Sequence, residues 1–287
     1  ISLGLVGSEM CIRDRLDGAH NPAGAQILAN ALRSEFSDKP LVGLVAVLAD
    51  KDVASVLEKA SGQIAEGFKL ESRDFQVSEF LSTETGQSIS ISGLTGQYGP
   101  YAAPVFGSHQ GQNLAVAVAA VEAFLGGGAI QIADDILRSA ISDVSSPGRL
   151  QLIKTEPALL LDGAHNPAGA QILANALRSE FSDKPLVGLV AVLADKDVAS
   201  VLANLAGVFE AVVITQSSSP RSMPAAELEL VASQSLGEDV SSISDFQLAL
   251  EQAKQRAIEL GGMVVVTGSI TLVGDVIKFI QEDSDEE

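Results

Sequence analysis

The chain has 287 residues, 37 acidic and 18 basic side chains for a formal net charge of −19, and 46% hydrophobic residues. That length holds about two domains of ordinary globular composition. The acidity is spread out and reads as a solvated surface; without clustered Lys and Arg it excludes a nucleic-acid partner. The longest apolar runs, such as Leu186–Leu193, fall well short of the roughly 18–20 residues that cross a bilayer, so no membrane partner is expected.

The first fifteen residues (ISLGLVGSEMCIRDR, 1–15) are too charged at their end for a signal peptide and lack a small-residue cleavage site. Leu5–Asp14 resembles the translation of a transposase sequencing adapter, so 1–15 is expected to be an artefact; a natural amphipathic leader would need a ten-residue coincidence. The only cysteine, Cys11, then leaves the biology, and disulfides and Cys-based metal sites leave with it, which fits a reducing, cytoplasmic setting.

Residues 16–57 recur without one change as 161–202, at an offset of 145 over 42 positions. Natural repeats drift at solvated positions, where substitutions shift stability by only about 0.5 kcal/mol. Here even Ser34, Glu35 and Asp38 match Ser179, Glu180 and Asp183, so the copy is very recent or an assembly error. Both copies encode strand, helix, strand. Loop closure favours local partners, which places 161–202 in the core beside the strands that follow it. The 16–57 copy is expected as a loosely attached βαβ lobe or on an exposed edge, inviting swapped dimers. Asp17 and His20 would then mimic a motif without forming a site.

Residues 58–145 read as the end of another domain: a strand or two over 67–75, a Gly/Ser/Thr-rich stretch to Gly99, and a strong helix over 112–124. The turn Ser145-Ser146-Pro147-Gly148 marks the boundary to 146–287. From there apolar runs alternate with helical periods, the pattern of a parallel sheet with crossover helices. Strands are expected at 158–161, 186–193, 211–215, near Val240 and at 263–267. Helices are expected at 167–179, 198–205, 224–233, 245–260 and 272–280, the first capped by Asn166 with Pro167 at its first position. The fold class is therefore α/β, a Rossmann-like, mostly parallel sheet.

Ligands of open α/β sheets bind beyond the carboxyl ends of the strands, where helix N-termini offer free N–H groups to anions. Leu161-Asp162-Gly163-Ala164-His165-Asn166-Pro167 puts Asp162 and His165 on that rim, and Thr267-Gly268-Ser269 adds a hydroxyl. Taken alone, Asp162 is equally a turn carboxylate and His165 a satisfied turn histidine. A polyanionic substrate would draw on local cations such as Arg149, Lys196 and Arg221. No GxxxxGK[ST] or GxGxxG occurs, nor HExxH or CxxC, and with three histidines a metal site built here alone is not expected.

SPGR (146–149), LDGAHNPAGA (161–170), ADKD (194–197), SPRSMPA (219–225) and VTGSITLVGDV (266–276), with GSHQGQNLAVAVAAVEAF (107–124) upstream, resemble folylpolyglutamate synthase/dihydrofolate synthase, a branch of the Mur ligase superfamily. The resemblance implies that 58–145 is the C-terminal part of the central ATP-binding domain and 146–287 the Mur ligase C-terminal domain. It also implies the reaction: ATP phosphorylates the terminal carboxylate of a folate or dihydropteroate, and the amine of L-glutamate attacks the acyl phosphate. By motif match, Arg149 contacts nucleotide phosphates, Asp162 the nucleotide, Asn113 the adenine or hinge with His109 beside it, and His165 and Ser269 help place glutamate or the acyl phosphate. ATP and Mg²⁺ are the implied cofactors, the magnesium ligands being expected in an N-terminal part not found here. The parent enzyme is implied to be a monomer. A chain lacking the phosphate loop is expected to have no ligase activity and weak nucleotide affinity. A Mur-type peptide ligase or cyanophycin-like synthetase shares the architecture, and a noncatalytic assembly module using the doubled block is the reading outside the class.

Overall fold

The computed structural model describes residues 72–126, 130–237 and 239–286, with short stretches at 26–27, 29–31, 34, 43–45 and 68–70. Two compact units divide the chain: residues 1–76, 92–96 and 115–131 form one, and 77–91, 97–114 and 132–287 the other.

In the first unit, β1 (Gly43–Val45) pairs in parallel with β2 (Phe68–Leu70). The carboxylate of Glu122, fully buried, is satisfied by the amides of Leu94 and Thr95 and by the Thr95 hydroxyl at 2.6 Å. Buried carboxylates persist only when hydrogen-bonded in this way.

A three-stranded sheet, β3 (Gln76–Thr83), β4 (Gly86–Ser92) and β5 (Gln97–Ala103), occupies the stretch read from sequence as a Gly/Ser/Thr-rich connection. Its middle strand alternates Ser with buried Ile89 and Ile91, a period-two signal hidden by the polar residues around it. Helix α1 (Ser108–Gly126) follows, longer at both ends than its apolar stretch suggested. Helix α2 (Asp134–Ser142) packs Leu137 and Ile141 inward. The Tyr101 hydroxyl donates to Asp134 at 2.7 Å.

The sheet that carries the rim has six strands in the order β10-β9-β8-β11-β7-β6. They are β6 (Gln151–Ile153), β7 (Leu159–Leu161), β8 (Leu186–Val190), β9 (Ala211–Ile214), β10 (Val240–Ser242) and β11 (Met263–Thr267). All pairings are parallel except β6 with β7. The central strands are apolar at nearly every position because both faces are covered. Leu160, Val190, Val212 and Val265 face a core shared with α3 (Pro167–Glu180), α4 (Val198–Asn204) and α5 (Ala225–Ser235). Leu161, Leu189, Val213 and Val266 face the other core, shared with α6 (Phe246–Leu260) and α7 (Ile270–Glu286).

The helix starts follow their sequence signals. Asn166 Oδ1 accepts from the Gly169 amide at 2.8 Å with Pro167 in the first turn, Asp197 caps α4, and Asp245 caps α6 rather than opening it. Gly261 closes α6 in the left-handed conformation at φ +66°. The 161–202 copy supplies the end of β7, α3, β8 and most of α4, the centre of this sheet. Of the 16–57 copy, the strand Gly43–Val45 and a few helical positions are described; Asp17 and His20 lie outside the described residues.

Candidate functional site

Strand β11 lies between β7 and β8, yet the helix after it packs on the opposite face from the helices after its neighbours. Connections that leave adjacent strands toward opposite faces open a crevice at their carboxyl ends, the favoured ligand position of such sheets. Asp162, His165 and Ser269 all lie there.

Asp162 leaves β7 with its amide donating to the Val266 carbonyl at 2.9 Å. Its carboxylate accepts the Ala164 amide at Oδ1 (2.9 Å) and the Leu150 amide at Oδ2 (3.0 Å). Burial pushes this carboxyl above its usual range, while the two amides and the nearby Arg149 pull the other way. The Gly163 amide donates to the Gly148 carbonyl at 2.8 Å, so SPGR and LDGAH are laced together by two hydrogen bonds. Leu150 sits at φ +47°, a conformation costing a leucine about 1–3 kcal/mol. Its side chain is 1% exposed, and burial contributing about 1.5–3 kcal/mol offsets that strain.

His165 Nδ1 lies 2.8 Å from the Gly163 carbonyl. A carbonyl only accepts, so Nδ1 carries the proton and Nε2 is left as the acceptor in the neutral ring. Ser269, 1% exposed, caps α7: its Oγ accepts from the amides of Thr271 (3.2 Å) and Leu272 (3.5 Å). Gly268 precedes it at φ +88°, where a Cβ would lie 2.4 Å from the Ala191 carbonyl oxygen. Only glycine lets β11 turn into α7 at this approach.

Arg149 is exposed, and its guanidinium makes no ion pair or side-chain hydrogen bond among the described residues. It is close enough to His109 to help lower that ring's pKa, the larger cause being burial. Asn113 Nδ2 donates to Gln110 Oε1 at 3.1 Å, and Gln110 Nε2 donates to Ser146 Oγ at 3.2 Å. Helix α1 is thereby tied to the turn that carries Arg149. The structure thus groups Arg149, Asp162 and His109 electrostatically and links Asn113 to them through Gln110 and Ser146. His165 and Ser269 reach the same rim through the LDGAH and TGSI loops, where Gly163 packs against Ile270.

Two participants escaped the sequence reading. Gln110, 6% exposed, sits inside the HQGQN motif, and an amide in a buried helical position was its signal. Glu180 accepts the Gly107 amide (3.2 Å) and the Ser82 hydroxyl (3.5 Å) at Oε2, and burial raises its carboxyl. An acid at a helix C-terminus opposes the dipole and gives no positive signal. Of the other named cations, Arg221 pairs with Asp195 at 3.1 Å on the surface. Among the described residues no group of three or more His, Cys, Asp or Glu converges to hold a metal ion, and no helix is long and apolar enough to cross a membrane.

Residues 148–270 match the family model of the Mur ligase glutamate ligase domain. The matched stretch coincides with the α/β fold built on the mostly parallel sheet described above. The chain's homologues are folylpolyglutamate and dihydrofolate synthases. The dihydrofolate synthase/folylpolyglutamate synthase of Mycobacterium tuberculosis is 38% identical over 204 residues, covering 66% of this chain and 42% of that protein. Its Bacillus subtilis counterpart is 28% identical over 177 residues, covering 61% and 40%. The chain thus spans less than half the length of these curated relatives. Among solved structures, Mycobacterium tuberculosis folylpolyglutamate synthase complexed with ADP aligns with a TM-score of 0.77 at 31% identity, over 90% of this chain and 58% of that one.

Proposed function

We propose that the chain is part of an ATP-dependent ligase that joins L-glutamate to folate or dihydropteroate, with 58–145 ending the central ATP-binding domain and 146–287 closing the nucleotide cleft. The observation that carries this reading is the unpaired Arg149 guanidinium beside Asp162, on a turn tied to Asn113 through Gln110 and Ser146. A guanidinium with no protein partner suits phosphate oxygens. The Asp162 oxygens, each holding one amide, keep lone pairs for a nucleotide hydroxyl. The relatives' names and the ADP complex of the Mycobacterium tuberculosis structure point the same way.

In the reaction the glutamate nitrogen bonds to the activated acyl carbon, the C–O bond to phosphate breaks, and phosphate departs with the electron pair. The amine sheds a proton, and in this reading His165 Nε2, left as acceptor by the Gly163 contact, takes it. The Ser269 hydroxyl, whose oxygen already accepts two amides, has its proton to donate to an oxyanion.

Titration of the ¹⁵N-labelled chain with ADP tests the reading. Binding is expected to be weak, because no GxxxxGK[ST] loop occurs in the 287 residues. Resonances of Arg149, Asp162 and Asn113 should shift, and Arg149→Ala should weaken binding at least tenfold. Shifts confined to other surfaces, or equal affinity in the variant, would sink it.

A further inference from the structure

A cavity of about 450 Å³ opens on the other side of the SPGR turn, between the β3–β5 sheet and the segment from α2 to the end of β6. Its lining differs from the rim. Arg149 and Lys154 contribute two cations, Thr83, Thr85 and Ser145 contribute hydroxyls, and no aspartate or glutamate lines it. In a chain with twice as many acidic as basic residues, a wall of this kind is electrostatically set apart from the surface around it. Lys154 is exposed and makes no ion pair among the described residues, and the three hydroxyls make no side-chain hydrogen bonds there. At the cavity's inner wall Gln87, 1% exposed, spends its Nε2 on the Gly107 carbonyl at 3.5 Å and leaves Oε1 with no hydrogen-bond partner. A buried acceptor without a donor costs about 1–3 kcal/mol and is normally met by water or ligand. Asp162, His165 and Asn113 do not line the cavity.

We propose that this cavity is a second anion site, taking a small organic or inorganic anion that carries two or more carboxylate or phosphate groups. Arg149 and Lys154 stand five residues apart, so their Cα atoms are separated by at most about 17 Å. Two such cations engage separate oxyanion groups of one ligand better than a single point charge. The hydroxyls of Thr83, Thr85 and Ser145 complete the contacts. The volume falls in the usual range of small-molecule sites, about 300–1,000 Å³. Arg149 would be shared with the nucleotide cleft, whereas Lys154, Thr83, Thr85 and Ser145 belong to this cavity alone.

The test is calorimetric and NMR titration of the full chain with two probes, γ-linked triglutamate and inorganic pyrophosphate, each against Lys154→Met. At least one probe should bind, shift the amides of Thr83, Thr85 and Ser145, and lose tenfold or more in affinity in the variant. The probe that does so identifies the ligand class as carboxylate or phosphate. ADP affinity should be the same in both proteins, so a failure of the nucleotide reading registers in the ADP titration and not in this one. Absence of binding by both probes, affinities within twofold of each other in wild type and Lys154→Met, or shifts confined to Asp162 and Asn113 would overturn the proposal.

Discussion

Arg149 acts on its surroundings through charge, and the effect is measurable without any ligand. Burial and the guanidinium together hold the His109 pKa below its ordinary 6.5. A ring whose folded pKa is depressed contributes stability above 6.5 that is lost as pH falls toward the folded value. Arg149→Ala removes the smaller of the two causes. The His109 titration, followed by NMR of its ring protons, should move up toward 6.5 and stop short of it, because burial remains. An unchanged midpoint would show that the guanidinium lies too far away to matter, and the shared role given to it here would fall.

Among the elements, the C-terminus of α3 carries a carboxylate that holds the loop before α1. Glu180 accepts the Gly107 amide and the Ser82 hydroxyl through one oxygen, and burial raises its pKa. The folded state then binds more protons than the unfolded chain above 4.5, so this group's contribution declines as pH rises through the window opening there. Glu180→Gln keeps a carbonyl acceptor and removes the buried charge. Its melting temperature at pH 7 should equal or exceed that of the parent, and the wild-type advantage should appear only on acidification. A large loss at pH 7 would mean that the charge strengthens these contacts more than burial penalises it.

The elements also show what a sequence can disclose. Strands β7, β8, β9 and β11 were legible because both faces of the sheet are buried there, leaving apolar runs of strand length. The cap at Asn166 was legible from local chemistry. The β3–β5 sheet was not, since exposed residues dominate β3 and the period of Ile89 and Ile91 is brief. At the candidate site, the motifs pointed to Arg149, Asp162, Asn113, His109, His165 and Ser269, but not to the hydrogen bonds by which Gln110 links Asn113 to Ser146. That link depends on a contact between α1 and a turn 36 residues away, which no local pattern encodes.

At the scale of the whole molecule, the repeated block sets two equivalent sequences in competition for one place in a sheet. The second copy supplies β8, between β9 and β11, while Gly43–Val45 of the first pairs with Phe68–Leu70. Exchange of the two between chains would conserve every side-chain contact of the core. We expect a concentration-dependent dimer on size-exclusion chromatography that disappears when residues 16–57 are deleted; a dimer that survives the deletion would locate the association elsewhere.

The same duplication gives the molecule an internal clock. Gly43-Leu44-Val45 and Gly188-Leu189-Val190 have identical neighbours for many residues on either side. Their amide hydrogens therefore have the same intrinsic rates of exchange with solvent. Any ratio observed between the two tripeptides in one deuterated sample cancels pH, temperature and chemistry, and leaves only what tertiary surroundings do to a strand.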